Sequence, residues 1–177
     1  MSKTNKRRMA NALVAAAGEH YVAYKLSCLG YLAAPVRLGA PAADLLASTP
    51  DGGRTVAIQV KTTQSALRTR GRGDAKRPHH LEFPLGHAAI EKASDKLMFC
   101  FVDLRSGHDD TSPDVYVVPA AQLLKEYEGK NIRSAFMSPL FLACGATKQR
   151  PNKRLKLTAH VGVFDLSPVR CSLSAVR

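Results

Sequence analysis

Asp44, Gln59 and Lys61 put a carboxylate, an amide and an ammonium into one short stretch, ADLLASTPDGGRTVAIQVKTT, running from Ala43 to Thr63. Carboxylate and amide oxygens are donors that hard divalent cations take, and an ammonium beside them stabilises developing negative charge. That chemistry requires the three groups to meet, and the residues between them supply the means. Apolar runs from Ala43 to Ser48 and from Thr55 to Val60 flank Pro50-Asp51-Gly52-Gly53. Asp-Gly between such runs is the strongest short-range signal for a β-hairpin. With Asp51 and Gly52 as a two-residue turn, or Pro50 to Gly53 as a four-residue loop, paired residue numbers sum to 103, and Asp44 faces Gln59. Strand side chains alternate, so Val56, Ile58 and Val60 form a core face while Ala57, Gln59 and Lys61 form the other. Directly opposed Cβ atoms lie about 4.5–5.5 Å apart, close enough for the three polar groups to cooperate. A register slip of one residue would scatter them.

The elements that must hold this hairpin follow from periodicity. Residues 1–8 are polar and basic and read as a frayed lead-in. From Met9 to Leu29 an Ala-rich helix is expected, with Ala15, Gly18, Val22, Leu26 and Leu29 on one face and Gly30 as its stop. Glu19 sits beside Gly18 on the margin of that face, from which it approaches the sheet. A first strand is expected over Tyr31 to Leu38, turning at Gly39-Ala40-Pro41 into the Asp44 strand. Thr62 to Pro78 is nearly devoid of apolar residues and carries Arg68, Arg70, Arg72, Lys76 and Arg77. It reads as a basic loop, mobile when free, serving either as a clamp on a phosphate backbone or as a solvated insertion. His80 to Phe83 is a short strand, with His79 and His80 on opposite faces, and Leu85 to Ala93 a helix. Leu97 to Leu104 suits a central strand buried on both sides. Asp109-Asp110 falls in a solvent-facing loop. Asp114 to Val118 is a further strand, and Ala120 to Tyr127 a helix after Pro119. Ile132 to Cys144 is apolar but interrupted by Pro139. In the tail, Leu155 to Val163 alternates in a way that allows one strand.

Asp44, then Gln59-Val60-Lys61 across a hairpin, with Gly18-Glu19 on a preceding helix, resembles the PD-(D/E)XK nuclease superfamily. The resemblance is to its Holliday-junction-resolvase-like and small bacterial branches and covers roughly Gly18 to Pro119, with LMFCFVDL and VYVVPAAQL matching the closing strands and helix. Ala43-Asp44 stands where the family has Pro-Asp, and Gln59 where most members carry Glu or Asp. The resemblance implies an α/β, restriction-endonuclease-like fold, a mixed β-sheet of four to five strands flanked by helices. It implies that Asp44, the Gln59 side chain and the Val60 carbonyl, supplemented by Glu19, hold Mg²⁺ or Mn²⁺, and that Lys61 orients water or stabilises the phosphorus centre. The expected reaction is metal-dependent hydrolysis of phosphodiester bonds in DNA, which the resemblance favours over RNA. Relatives of the resolvase type imply a possible homodimer.

Composition is compatible with such a protein. The chain has 177 residues, 45% of them hydrophobic, enough for one domain with a full core. We expect that domain over residues 9–145 and a basic appendage over residues 146–177. The net charge of +12 favours a polyanionic partner. From Thr147 onward seven basic residues meet only Asp165, so half of the surplus lies there and half in the rest of the chain. No apolar run approaches the roughly 20 residues that a membrane helix needs, and the run from Ala12 to Ala17 is too short for a secretory leader. A cytoplasmic protein is expected. Cys28, Cys100, Cys144 and Cys171 are scattered without a CxxC pair, as for reduced, mostly buried thiols. Two other function classes stay open: a nuclease-fold module that binds nucleic acid with little or no catalysis, and a partner subunit whose charge serves a protein interface. Metal-dependent cleavage separates the first reading from both, and steep salt dependence of nucleic-acid binding separates these two.

Overall fold

The computed structural model describes residues 3–36, 43–91, 94, 96–105, 112–127, 134–137 and 160–161. Helix α1 spans Lys3–Cys28. It starts within the segment expected to be a frayed lead-in, because Lys, Arg and Met favour helix and neither Gly nor Pro occurs before Gly18. Its end is a Schellman cap: Gly30 takes φ +86°, its N–H donates to the Ser27 carbonyl, and the Tyr31 N–H donates to the Leu26 carbonyl, both at 3.0 Å. Gly18, Val22 and Leu26 are buried as expected, whereas Ala15 is exposed and Leu29 remains 52% exposed. The buried stripe is therefore only the length of the sheet beneath it.

That sheet contains β1 (Leu32–Pro35), β2 (Leu45–Ser48), β3 (Thr55–Thr63), β6 (Leu97–Asp103) and β7 (Asp114–Pro119), in that spatial order. β3 runs parallel to β6 and every other pair is antiparallel, giving the mixed α/β sheet expected. Two residues of the basic appendage, β9 (His160–Val161), extend the β7 edge. One face is closed by α1, where Val22 and Leu26 pack with Leu45, Ile58, Val60, Cys100 and Val102. The other carries Phe99, Phe101, Tyr116 and Val118 and is covered partly by α3 (Ala120–Tyr127), through Leu123.

The rest of that cover is a second sheet, β4-β5-β8, built from β4 (Leu67–Arg70), β5 (Arg77–Pro84) and β8 (Ser134–Met137). The segment expected to be a mobile basic loop is thus a β-hairpin. Its anchor is apolar: Phe83 is fully buried, 5.3 Å from the Phe101 ring and 5.9 Å from Tyr116. Burying one such side chain is worth roughly 1.5–3 kcal/mol, and the aromatic contacts add to it. A bulge shifts the β4–β5 register between Arg68 and Thr69, so that His79 and His80 both stand against one residue of β4. Instead of pointing to opposite faces, the two rings meet edge to face with Nδ1 atoms 2.7 Å apart, because an extra residue re-aims the side chains beside it.

Other boundaries differ by a few residues. The first strand is shorter than Tyr31 to Leu38, and helix α2 is His87–Glu91. Gly39-Ala40-Pro41, Asp109-Asp110, Cys144 and Cys171 lie outside the described residues. Cys28 is exposed, and Cys100 is buried with its thiol pKa pushed up by that burial. Among the described residues no helix is long and apolar enough to cross a membrane.

Candidate functional site

The β2–β3 hairpin positions the site. Leu45 pairs with Ile58, Leu46 with Ala57, Ala47 with Val56 and Ser48 with Thr55, so each pair sums to 103 as expected. The loop is the four-residue alternative, Pro50 to Gly53, closed by the Thr49 N–H donating to the Arg54 carbonyl at 3.0 Å. Gly52 takes φ +72°, a conformation that glycine adopts without steric cost. Asp51 accepts hydrogen bonds from the Thr49 hydroxyl and the Gly53 N–H, which hold its carboxyl below the usual range.

The ladder ends at the Leu45–Ile58 pair, and Asp44 precedes it directly at the end of β2. The Asp44 N–H donates to the Ile58 carbonyl at 2.8 Å, and its Oδ2 accepts the Val60 N–H at 2.7 Å. Asp44 therefore grips β3 on both sides of Gln59, its carboxylate replacing the main-chain acceptor that the end of β2 no longer supplies. Residues of an antiparallel pair exchange N–H and C=O bonds on one side of the strand, so the Val60 carbonyl opens toward Asp44 as well.

Gln59 does not lie on an outer face. It is only 9% exposed, beside Phe99 in the parallel partner, and its Oε1 is buried with no hydrogen-bond partner among the described residues. An unmet buried acceptor costs about 1–3 kcal/mol. Lys61, two residues on and half-buried, pairs with Phe101.

Glu19 reaches this cluster from α1. Burial raises its carboxyl pKa, the Asp44 carboxylate raises it further, and the charges of His20 and Lys61 offset part of the rise. The helix approaches closely because Gly18 lies against Thr62, where any Cβ would collide with the Thr62 side chain. The structure thus brings together Glu19, Asp44, Gln59, Val60 and Lys61. Among the described residues no three His, Cys, Asp or Glu side chains form a metal cluster. The oxygen donors available are two carboxylates, one amide and one main-chain carbonyl.

The five basic residues divide. The Arg68 guanidinium is held by Glu82 at 2.9 Å and by the Ser65 carbonyl at 2.9 Å, fixing the base of the β4–β5 hairpin. Arg70, Arg72, Lys76 and Arg77 are exposed around its tip.

Sequence reasoning missed a second polar group at the far end of β6. Asp103, 6% exposed, accepts the Arg105 N–H at 2.9 Å, and Arg105 reaches Asp114 at 3.6 Å. Tyr116 lies beside them, its hydroxyl pKa pushed up to about 12 chiefly by burial and then by Asp114 and Asp103. These groups line a cavity of about 50 Å³. An aspartate closing an otherwise apolar run was the available signal. Thr62, whose buried Oγ1 is also without a partner among the described residues, left no signal in sequence.

No family model, curated protein or solved structure matches the chain.

Proposed function

We propose that the chain is a metal-dependent endonuclease that hydrolyses phosphodiester bonds in DNA. The observation that carries this reading is the buried Gln59 Oε1, without a partner among the described residues, next to Val60, whose N–H the Asp44 carboxylate accepts. A buried acceptor of this kind calls for a donor or a cation, and the ligating atoms around it are all oxygen. Mg²⁺ and Mn²⁺ fit that set, with Asp44, Gln59 and the Val60 carbonyl as ligands and Glu19 as a supplement. When bound, such an ion supplies an acidified water and positive charge facing the phosphate.

The protein's own groups do the rest. Asp44 is oriented by the Val60 N–H before any substrate arrives, so little reorganisation remains at the moment of reaction. Lys61 holds a positive charge on the same face of β3 as Gln59, where it offsets charge building on a phosphate. The Glu19 carboxyl pKa is raised first by burial and then by the Asp44 carboxylate, and a divalent cation would offset both.

The test is cleavage of single-stranded, duplex and branched DNA in Mg²⁺ or Mn²⁺, beside a Lys61→Ala variant shown by circular dichroism to be folded. Cleavage by the parent that falls at least about 100-fold in the variant, the scale on which one charge-stabilising group acts, supports the reading. Salt-sensitive binding without cleavage by either protein would favour the alternative, a nuclease-fold module that binds nucleic acid. The neutral Gln59 amide, in place of a further carboxylate, is the feature that speaks for that alternative.

A further inference from the structure

We propose that the β4–β5 hairpin is a preorganised arm that grips the phosphates of B-form duplex DNA through Arg70, Arg72, Lys76 and Arg77. The inference rests on the nuclease reading for its choice of nucleic acid as partner, and deepens it by naming the form of nucleic acid and the surface that holds it.

The hairpin is fixed at its base and strained electrostatically at its tip. Leu81 and Phe83 are buried in the core, the Glu82 N–H donates to the Ala66 carbonyl at 3.0 Å, and Arg68 is tied to Glu82 and Ser65. The tip is closed by a 3₁₀ turn over Gly73–Ala75, and Gly71 takes φ +109° where a Cβ would strike the Ala75 carbonyl. Within this frame Arg70 pairs directly with Arg77. Like charges opposed across a ladder are destabilising. Arg72 and Lys76 add to the repulsion, and Asp74 is the only acid between Leu67 and Leu81. The arrangement disfavours the isolated chain and favours a polyanion.

Shape selects the polyanion. A two-stranded ribbon enters the major groove of B-form DNA, roughly 12 Å wide, whereas the A-form major groove is too narrow for side chains to read. Binding of single strands relies on aromatic stacking platforms, and Leu67 to Leu81 contains no Phe, Tyr or Trp. His79 and His80 are half-buried and turned on each other. The second sheet packs on the same face of the main sheet that bears Gln59 and Lys61, and Arg70 lies three residues, about 10 Å, beyond Leu67 at ~3.3 Å per residue. The arm is thus rooted on the face of the main sheet that bears Gln59 and Lys61.

The experiment is fluorescence anisotropy of the full chain in EDTA, which prevents cleavage, with one sequence presented as duplex DNA, single-stranded DNA and duplex RNA across a salt series. Expected are preference for duplex DNA and a slope of log K against log salt that loses about 3–4 units in the variant with all four tip residues changed to Ala, at ~0.9 per phosphate contact. Lys125→Ala, which removes an exposed cation of α3 and none of the arm, should leave the slope unchanged, and the thermal midpoint of the fourfold variant should not fall. An unchanged slope, no binding by the parent, or preference for single strands or RNA would overturn the proposal. Duplex binding through the arm without cleavage in Mg²⁺ would sink the nuclease reading alone. Cleavage abolished by Lys61→Ala but unaffected in the fourfold variant would sink the arm alone.

Discussion

The two faces of β3 solve opposite problems. On one, Ile58, Val60 and Thr62 meet α1 so closely that the helix needs Gly18 where it crosses. On the other, Gln59 and Lys61 share the surface with Ala57 and stand beside Phe99 and Phe101 of β6. The first face is stabilised by contact and tolerates no extra atom. The second buries the Gln59 amide with its Oε1 unmet among the described residues. The contrast teaches that the close-packed face holds the register on which the polar face depends, because one residue of slip would exchange them.

Gly18→Ala should break the comparison most severely. The added Cβ meets Thr62, and overpacking of this kind costs roughly 1–3 kcal/mol, readable as a lowered midpoint in urea denaturation. An unchanged midpoint would mean that the helix does not approach β3 as described. Gln59→Glu addresses the other face. It should keep the fold and tighten Mn²⁺ binding by about tenfold, ~1.4 kcal/mol, since ligand charge sets affinity. Calorimetry that detects no ion uptake by either form would remove the metal site.

Glu19→Gln has the smallest expected effect and the sharpest sign. Because the folded state raises the Glu19 pKa, ionisation weakens the native state, and the associated stability is present at low pH and lost as pH rises through the folded pKa. In EDTA the variant should therefore melt above the parent at neutral pH. The difference should close as pH falls below the ordinary carboxyl value of 4.5. A constant difference across that range would show that folding does not raise the Glu19 pKa.

The hairpin register was legible because its determinants are local: Asp51-Gly52 between two apolar runs, and alternation that permits one pairing. The run from Leu97, the helix after Pro119 and the Gly30 stop were legible for the same reason. The burial of Gln59 was not, since alternation alone reads as one solvent-facing side until β3 is known to run beside β6 with both faces covered. The second sheet escaped because its apolar anchors, Leu67, Leu81 and Phe83, are separated by a charged run, and its third strand arrives from Ser134–Met137, some fifty residues on. Nothing in a His-His pair announces a bulge. Of the proposed site, the identities and the register could be read, and the burial that makes them interesting could not.

The parallel pairing of β3 with β6 also differs from the β2–β3 hairpin in how far apart in sequence its partners lie. A hairpin closes in about 1–10 μs, and the β2–β3 pairing needs only contacts local in sequence. β6 comes later, after the arm, β5 and α2 have been threaded between, and such non-local parallel pairing is intrinsically slow. The register of the site therefore rests on contacts local in sequence, and the burial of its amide on contacts distant in sequence. A chain arrested before β6 docks would hold the right residues in the right order, with Gln59 satisfied by water.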